Sequence, residues 1–121
     1  MDKLPRISEA EMEVLRVLWA GEGPMTVAEV AQHLADRRWS YKTVGTFLIR
    51  LEEKGVIAGE RAGRANRYRP VISEGEYQRR ETEAFLRSVH HGSMRSLLSA
   101  LCDRAPDEKT LDELERWLKE Q

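Results

Sequence analysis

Between Trp39 and Gly55 the stretch WSYKTVGTFLIRLEEKG gathers Lys42, Thr43, Gly45, Thr46 and Arg50 just after Ser40. These residue types suit non-covalent contact with a polyanion better than bond-breaking chemistry. A lysine neutralises a phosphate, and threonine hydroxyls hydrogen-bond to phosphates or base edges while their methyls can touch thymine. A glycine lets the backbone come close to a duplex. Inside a helix that glycine costs about 1 kcal/mol relative to alanine, so its presence asks for a reason. The same stretch carries Val44, Phe47, Leu48 and Leu51 at i, i+3, i+4 and i+7, an apolar stripe for burial. Ser40 is a good N-cap and Gly55 a good stop. The spacing therefore predicts a helix over about 40–54 with one buried stripe and a cationic outer face. Alone, that face reads more readily as that of an ordinary solvated helix, and its neighbours decide.

Two shorter helices precede it. Ser8 with Glu11 reads as a capping box for a first helix whose apolar face holds Met12, Val14, Leu15, Leu18 and Trp19, ended at Gly21 by GEGP. Thr26 with Glu29 repeats the box for a helix from Val27 to about Ala35, with Val27, Val30, Ala31 and Leu34 facing inward. Residues 36–39 turn the chain into the third helix, a helix-turn-helix arrangement. After Gly55 the period changes: Val56 to Arg61 and Arg67 to Val71 are short strand candidates around the tip Ala62-Gly63-Arg64-Ala65. A basic hairpin directly after a helix-turn-helix is a wing, the element of winged-helix proteins that lies along a DNA backbone or minor groove. The fold class expected is mainly α with a small β-hairpin wing.

Charge distribution agrees. The 121-residue chain has a net charge of −1. From Arg37 to Arg69, however, nine Lys/Arg face three Glu, whereas residues 73–121 carry eight against eleven acids. A locally basic segment in a neutral chain is the electrostatic footprint of a DNA contact. With 34% charged residues and no apolar run of membrane-spanning length, insertion into a membrane is not expected. The start MDKLPRISEAEM lacks an apolar signal core, so a cytoplasmic location is expected.

The remaining chain divides into three amphipathic helices. Ser73 with Glu76 opens the first, with Tyr77, Ala84, Phe85 and Val89 apolar, and His90-His91-Gly92 breaks it. Ser93 opens the second, with Met94, Leu97, Leu98, Leu101 and Cys102 on one face; Pro106 and Asp107 open the third, with Leu111, Leu114, Trp117 and Leu118. A segment this small buries too little surface to stand alone. A second copy of itself is the simplest cover, and a symmetric dimer suits two half-sites; folding back on the winged helix is the other way to cover it. The expected division is a winged-helix DNA-binding domain at 1–72 and a dimerisation domain at 73–121. The dimerisation set is Tyr77, Phe85, Val89, Met94, Leu97, Leu98, Leu101, Leu111, Leu114, Trp117 and Leu118. The DNA-binding set is Ser40, Lys42, Thr43, Gly45, Thr46 and Arg50, with Arg64 and Arg67 on the hairpin.

Taken together, ISEAEMEVLRVLW, SYKTVGTFLIRLEEKG, GRANRYRP and HHGSMRSLLSAL resemble the BlaI/MecI penicillinase-repressor family, which includes the CopY-type copper repressors. The likeness runs from about Leu4 to Glu120. It implies a homodimeric repressor that binds a dyad DNA operator through the third helix and a wing at about 61–68, with Lys42, Thr43, Thr46 and Arg64 touching DNA. It also implies inactivation by proteolysis after the glycine matching Gly92, through a membrane metalloprotease sensor. Where staphylococcal-type repressors have Asn-Phe at the cut, this chain has Ala100-Leu101. The terminal cysteine cluster of copper-responsive members is absent.

Other chemistry is weaker. A lone Cys102 on an apolar stripe reads as an inert buried thiol, with a redox switch as its alternative. His33, His90 and His91 lack a matching cluster and read as solvated, so no metal and no cofactor is expected. No nucleophile-and-base spacing or phosphate-cradling loop points to an enzyme. The competing classes are a winged-helix module for protein contacts and a repressor that senses a ligand or redox change without being cleaved.

Overall fold

The computed structural model describes residues 6–101 and 107–120. Helix α1 (Glu9–Ala20) starts in the reciprocal box expected for it. The Ser8 N–H donates to Glu11 Oε1 at 2.9 Å, and the Glu11 N–H donates to Ser8 Oγ at 3.1 Å. Helix α2 (Val27–His33) repeats the motif with Thr26 and Glu29. It ends earlier than the periodicity suggests: a single 3₁₀ turn at Ala35–Arg37 follows, and Arg38 takes a left-handed conformation at φ 59°. That turn swings the chain into α3 (Tyr41–Glu53). Helix α3 closes in a Schellman arrangement: Gly55, at φ 80°, donates to the Glu52 carbonyl, and Val56 to that of Leu51.

The wing is shifted by a residue from the expected strands. Strands β2 (Ile57–Ala62) and β3 (Ala65–Pro70) pair antiparallel from Ile57↔Pro70 to Ala62↔Ala65, so only Gly63 and Arg64 form the loop. Gly63, at φ 69°, occupies the first loop position, where a two-residue hairpin of the glycine-first kind needs positive φ. A third strand, β1 (Met25–Thr26), pairs with β3 on its other side, giving the order β1-β3-β2. Two residues are too few to show a period, so nothing in the pattern marks β1.

The core is formed by the expected stripes of α1, α2 and α3: Val14, Leu15, Leu18, Val30, Val44, Leu48 and Leu51 are buried, joined by Val56, Ile57 and Tyr68 from the wing. The Trp19 indole N–H donates to the Ile72 carbonyl at 2.9 Å, and its ring lies 5.6 Å from that of Tyr77. Glu11 is 3% exposed, and its Oε1 also meets Lys54 Nζ at 2.5 Å, fastening the start of α1 to the end of α3. Burial works to raise the Glu11 pKa, but the Lys54 ammonium and the Ser8 hydrogen bonds outweigh it and hold the carboxyl below its ordinary value.

Two compact units result, Met1–Gln78 and Arg79–Gln121. The division falls inside α4 (Glu74–His90), past the boundary at 72 expected from sequence, because Tyr77 is committed to the first core. Within the second unit, α5 (Met94–Leu101) and α6 (Glu108–Lys119) follow. Arg95 reaches across to Glu108, Asp112 and Glu115 of α6 at 2.5–3.0 Å. No side chain of α5 is buried, although its spacing suggests a nearly complete buried face, and Leu101 is 75% exposed. Met94, Leu97 and Leu98 of that face are half-buried. Cys102 and Pro106 lie outside the described residues, as does the side chain of Leu118.

Candidate nucleic-acid interface

With Val44, Leu48 and Leu51 buried, helical geometry turns Lys42, Thr46, Ile49 and Arg50 away from the core. Ser40 caps α3, its Oγ accepting the Thr43 N–H at 3.1 Å and lying 2.9 Å from Thr43 Oγ1. Both hydroxyls are thereby held at the helix start, where the partial positive charge of the backbone amides favours a phosphate. Thr46 Oγ1 donates to the Lys42 carbonyl at 3.0 Å. At Gly45 an added Cβ would meet only Val27 Cγ1, at 3.8 Å, so packing within the protein does not require glycine there.

Arg64 sits exposed at the hairpin tip, and Arg67 is exposed on β3 beside Glu29, with Nη1 to Oε1 at 3.4 Å. Of the nine cations between Arg37 and Arg69, four meet carboxylates: Arg37 with Glu13 and Asp36, Lys54 with Glu11, Arg67 with Glu29, and Arg69 with Glu60. Arg38, Lys42, Arg50, Arg61 and Arg64 have no carboxylate in ion-pairing range among the described residues. The charges left without an internal partner thus include α3's outer face and the wing tip.

The sequence reading missed one structural link. Glu52 Oε2 accepts the Gly59 N–H at 3.0 Å, tying the edge strand of the wing to α3. A Cβ at Gly59 would lie 2.8 Å from Tyr68 Cε1 and 3.2 Å from Glu52 Oε2, so glycine is needed at that crossing. Two large exposed residues on α3 were also passed over, Tyr41 at 62% and Ile49 at 52% exposure. Neither belongs to the apolar stripe or to the lysine, arginine, serine and threonine types that mark the outer face.

In the second unit Phe85, Val89, Leu101, Leu114 and Trp117 are exposed, Met94, Leu97 and Leu98 half-buried, and Leu111 buried. Tyr77, grouped with these by pattern, is instead buried in the first unit against Trp19. Ala100 and Leu101 form the exposed end of α5. His90 corrects the view of it as a solvated linker residue. It is buried, its Nδ1 lies 2.7 Å from Ser96 Oγ, and its ring meets Phe85 edge-on at 5.3 Å. His91 and Gly92 form the break at positive φ. Among the described residues no group of three His, Cys, Asp or Glu is placed to hold a metal, and no helix is long and apolar enough to cross a membrane.

Three helices, a three-stranded wing and an unpartnered cationic ridge across both define a winged-helix DNA-binding protein. Residues 7–120 match the model of the penicillinase repressor family, and the chain belongs to that family. It is 34% identical over 98 residues to the penicillinase repressor of Bacillus licheniformis, covering 81% of this chain and 77% of that one. The methicillin resistance regulatory protein MecI of Mammaliicoccus sciuri is 25% identical over 114 residues, covering 94% and 91%. Among solved structures, the B. licheniformis BlaI monomer in complex with the blaP half-operator matches with TM-score 0.52 at 40% identity, over 64% of this chain and 94% of that one. The chain is accordingly a DNA-binding transcriptional repressor and not an enzyme.

Proposed function

We propose that this repressor works as a homodimer in the cytoplasm, each copy placing α3 in the major groove of one half of a dyad operator and laying its wing on the adjacent backbone. The observation that carries this reading is the set of cations on α3 and the hairpin tip, Lys42, Arg50 and Arg64, that the fold itself does not use. Ser40, Lys42, Thr43 and Thr46 lie along the first turns of α3, the part of a recognition helix that meets base edges. The half-operator complex of the B. licheniformis relative supports binding of one copy to one half-site here. The exposed apolar residues of α4, α5 and α6 support the dimer, since a second copy would cover them.

Thr46→Ala and Arg64→Ala separate the two kinds of contact. Losing a base contact at Thr46 costs about 1–3 kcal/mol of discrimination between operator and random duplex. Losing a phosphate contact at Arg64 weakens both alike and lowers the salt slope by about one. Gel shifts at several salt concentrations measure both, and unchanged affinity in both folded variants removes the assignment. Trp117→Glu, in the full chain, yields a monomer by sedimentation.

For induction, we infer a cut between Ala100 and Leu101 by a membrane metalloprotease sensor. The bond lies at the exposed end of a helix, where local opening is easiest. Mass analysis of the repressor from β-lactam-treated cells tests it: persistence of the full-length chain while targets are induced transfers the signal to a ligand or to Cys102.

A further inference from the structure

Ile49 presents an apolar side chain, 52% exposed, on the side of α3 turned from the core. An isolated exposed isoleucine is ordinary on a protein surface. This one falls at i+7 from Lys42 and i+3 from Thr46, next to Arg50, in the middle of a face otherwise equipped for a charged duplex. Nothing in the described packing of the first unit uses it: it is absent from the residues that form or flank the core.

The state of Thr46 adds a second, independent observation. Its hydroxyl donates to the Lys42 carbonyl at 3.0 Å, so the proton is spent inside the helix. What Thr46 can offer a groove is a methyl group and an oxygen with free lone pairs, not a donor. The two edges of a G·C pair differ from those of an A·T pair in this respect. Guanine shows two acceptors, which call for the donors of Lys42 or Arg50. Both pairs offer an amino donor to an acceptor, cytosine N4 or adenine N6, and what sets the A·T pair apart is the C5 methyl of thymine. Two apolar groups on one ridge therefore favour an A·T pair.

We propose that Ile49, together with Thr46, reads a thymine in each half-site by covering its C5 methyl, making Ile49 a specificity-determining residue of this repressor. The proposal rests on the placement of α3 in the major groove. It adds a larger apolar side chain to the threonine methyls, charges and hydrogen-bonding groups of that face.

The test removes the methyl from the DNA and its cover from the protein. A preferred duplex is selected from a random library with the full chain, and each thymine is replaced in turn by deoxyuridine, which lacks only that methyl. The wild-type chain loses about four-fold in affinity at one thymine per half-site, the equivalent of burying one methyl group. Ile49→Ala binds the unmodified duplex about that much more weakly and shows no further loss at the same position, while Ile49→Val retains most of the sensitivity. Its salt slope matches the wild type, because no phosphate contact is touched. Because Ile49 is exposed, the variant keeps the fold, which circular dichroism verifies. Tolerance of deoxyuridine at every position by the wild type overturns the proposal, and so does sensitivity that persists unchanged in Ile49→Ala. Failure to select any sequence overturns the groove placement beneath it, a result distinct from either.

Discussion

Lys54→Met breaks the pair between the buried Glu11 carboxylate and Lys54 that holds the recognition helix to the start of α1. Glu11 is 3% exposed, and its Oε1 takes both the Lys54 ammonium at 2.5 Å and the Ser8 N–H at 2.9 Å. Removing one partner of such a pair leaves an uncompensated carboxylate, typically at a cost of 3–5 kcal/mol. The Lys54 side chain is 27% exposed, so solvent reaches its end of the pair and the low end, about 3 kcal/mol, is expected. In a unit of this size that lowers the melting temperature by about 12 °C or more. Glu11→Gln combined with Lys54→Met removes both charges and keeps an oxygen for the Ser8 N–H, so most of the loss is recovered. The pH dependence differs between the two proteins. In the wild type the Glu11 pKa lies below its ordinary 4.5, so its contribution is complete above that value and disappears as pH falls through the lower, folded one. Without Lys54, burial is opposed only by the Ser8 hydrogen bonds, so the carboxyl sits higher than in the wild type and its ionisation adds less stability as pH rises. The stability gap measured by chemical denaturation must therefore be wide at pH 7 and narrow at pH 4. A loss below about 1 kcal/mol at pH 7, or a gap independent of pH, refutes the claim that this carboxylate is desolvated and held by Lys54.

Gly59→Ala brings a Cβ to 2.8 Å from the Tyr68 ring and 3.2 Å from Glu52 Oε2, so thermal unfolding should show a loss of about 1–3 kcal/mol, the usual cost of overpacking. Trp19→Phe deletes the donor to the Ile72 carbonyl while keeping an aromatic ring near Tyr77; denaturant titration should show about 1–3 kcal/mol lost to an unsatisfied acceptor. Gly45→Ala has room for its Cβ, 3.8 Å from Val27, and should stabilise α3 by about 0.5–1 kcal/mol. If glycine is there for close approach to DNA, the more stable variant binds its operator less tightly; equal binding removes that role.

The parts of this fold that could be read from sequence are those with a local cause. Both capping boxes, the Ser40 cap and the Gly55 stop are set by side chains a few residues from the backbone groups they satisfy, and the structure has all of them. The apolar stripe of α3 follows from period alone. What escaped depends on partners distant in sequence. Strand β1 exists because β3 offers a free edge to two residues that carry no pattern of their own. Tyr77 reads as an interface residue until Trp19, far back in the chain, accepts its ring. His90 looks like a linker residue until Ser96 and Phe85 close on it. The candidate DNA face had the same limit: charge and hydrogen-bonding residues stand out by type, whereas Ile49 becomes visible only when nothing in the fold covers it.

The geometry of the second unit bears on why one cut there would suffice for induction. Helices α5 and α6 are joined in the chain through residues 102–106, and across space Arg95 meets Glu108, Asp112 and Glu115. The pairs with Glu108 and Asp112 involve carboxylates in solvent, where an ion pair contributes about 0–1 kcal/mol and is screened by salt. Before a cut, the chain keeps α6 at high effective concentration beside α5, and such weak contacts are enough to orient it. After a cut between Ala100 and Leu101, α6 is a separate peptide, and the same contacts must also offset its translational and rotational freedom, several kcal/mol. It would depart, taking the exposed Leu114 and Trp117 from the face proposed to join two copies. The first unit has its own core around Leu15, Leu48 and Leu51, all of it before the cut in the chain. Each reading head would then hold a half-site alone, without the 10²–10⁴-fold advantage that tethering two heads commonly gives. Release from the operator follows with the recognition helix unaltered.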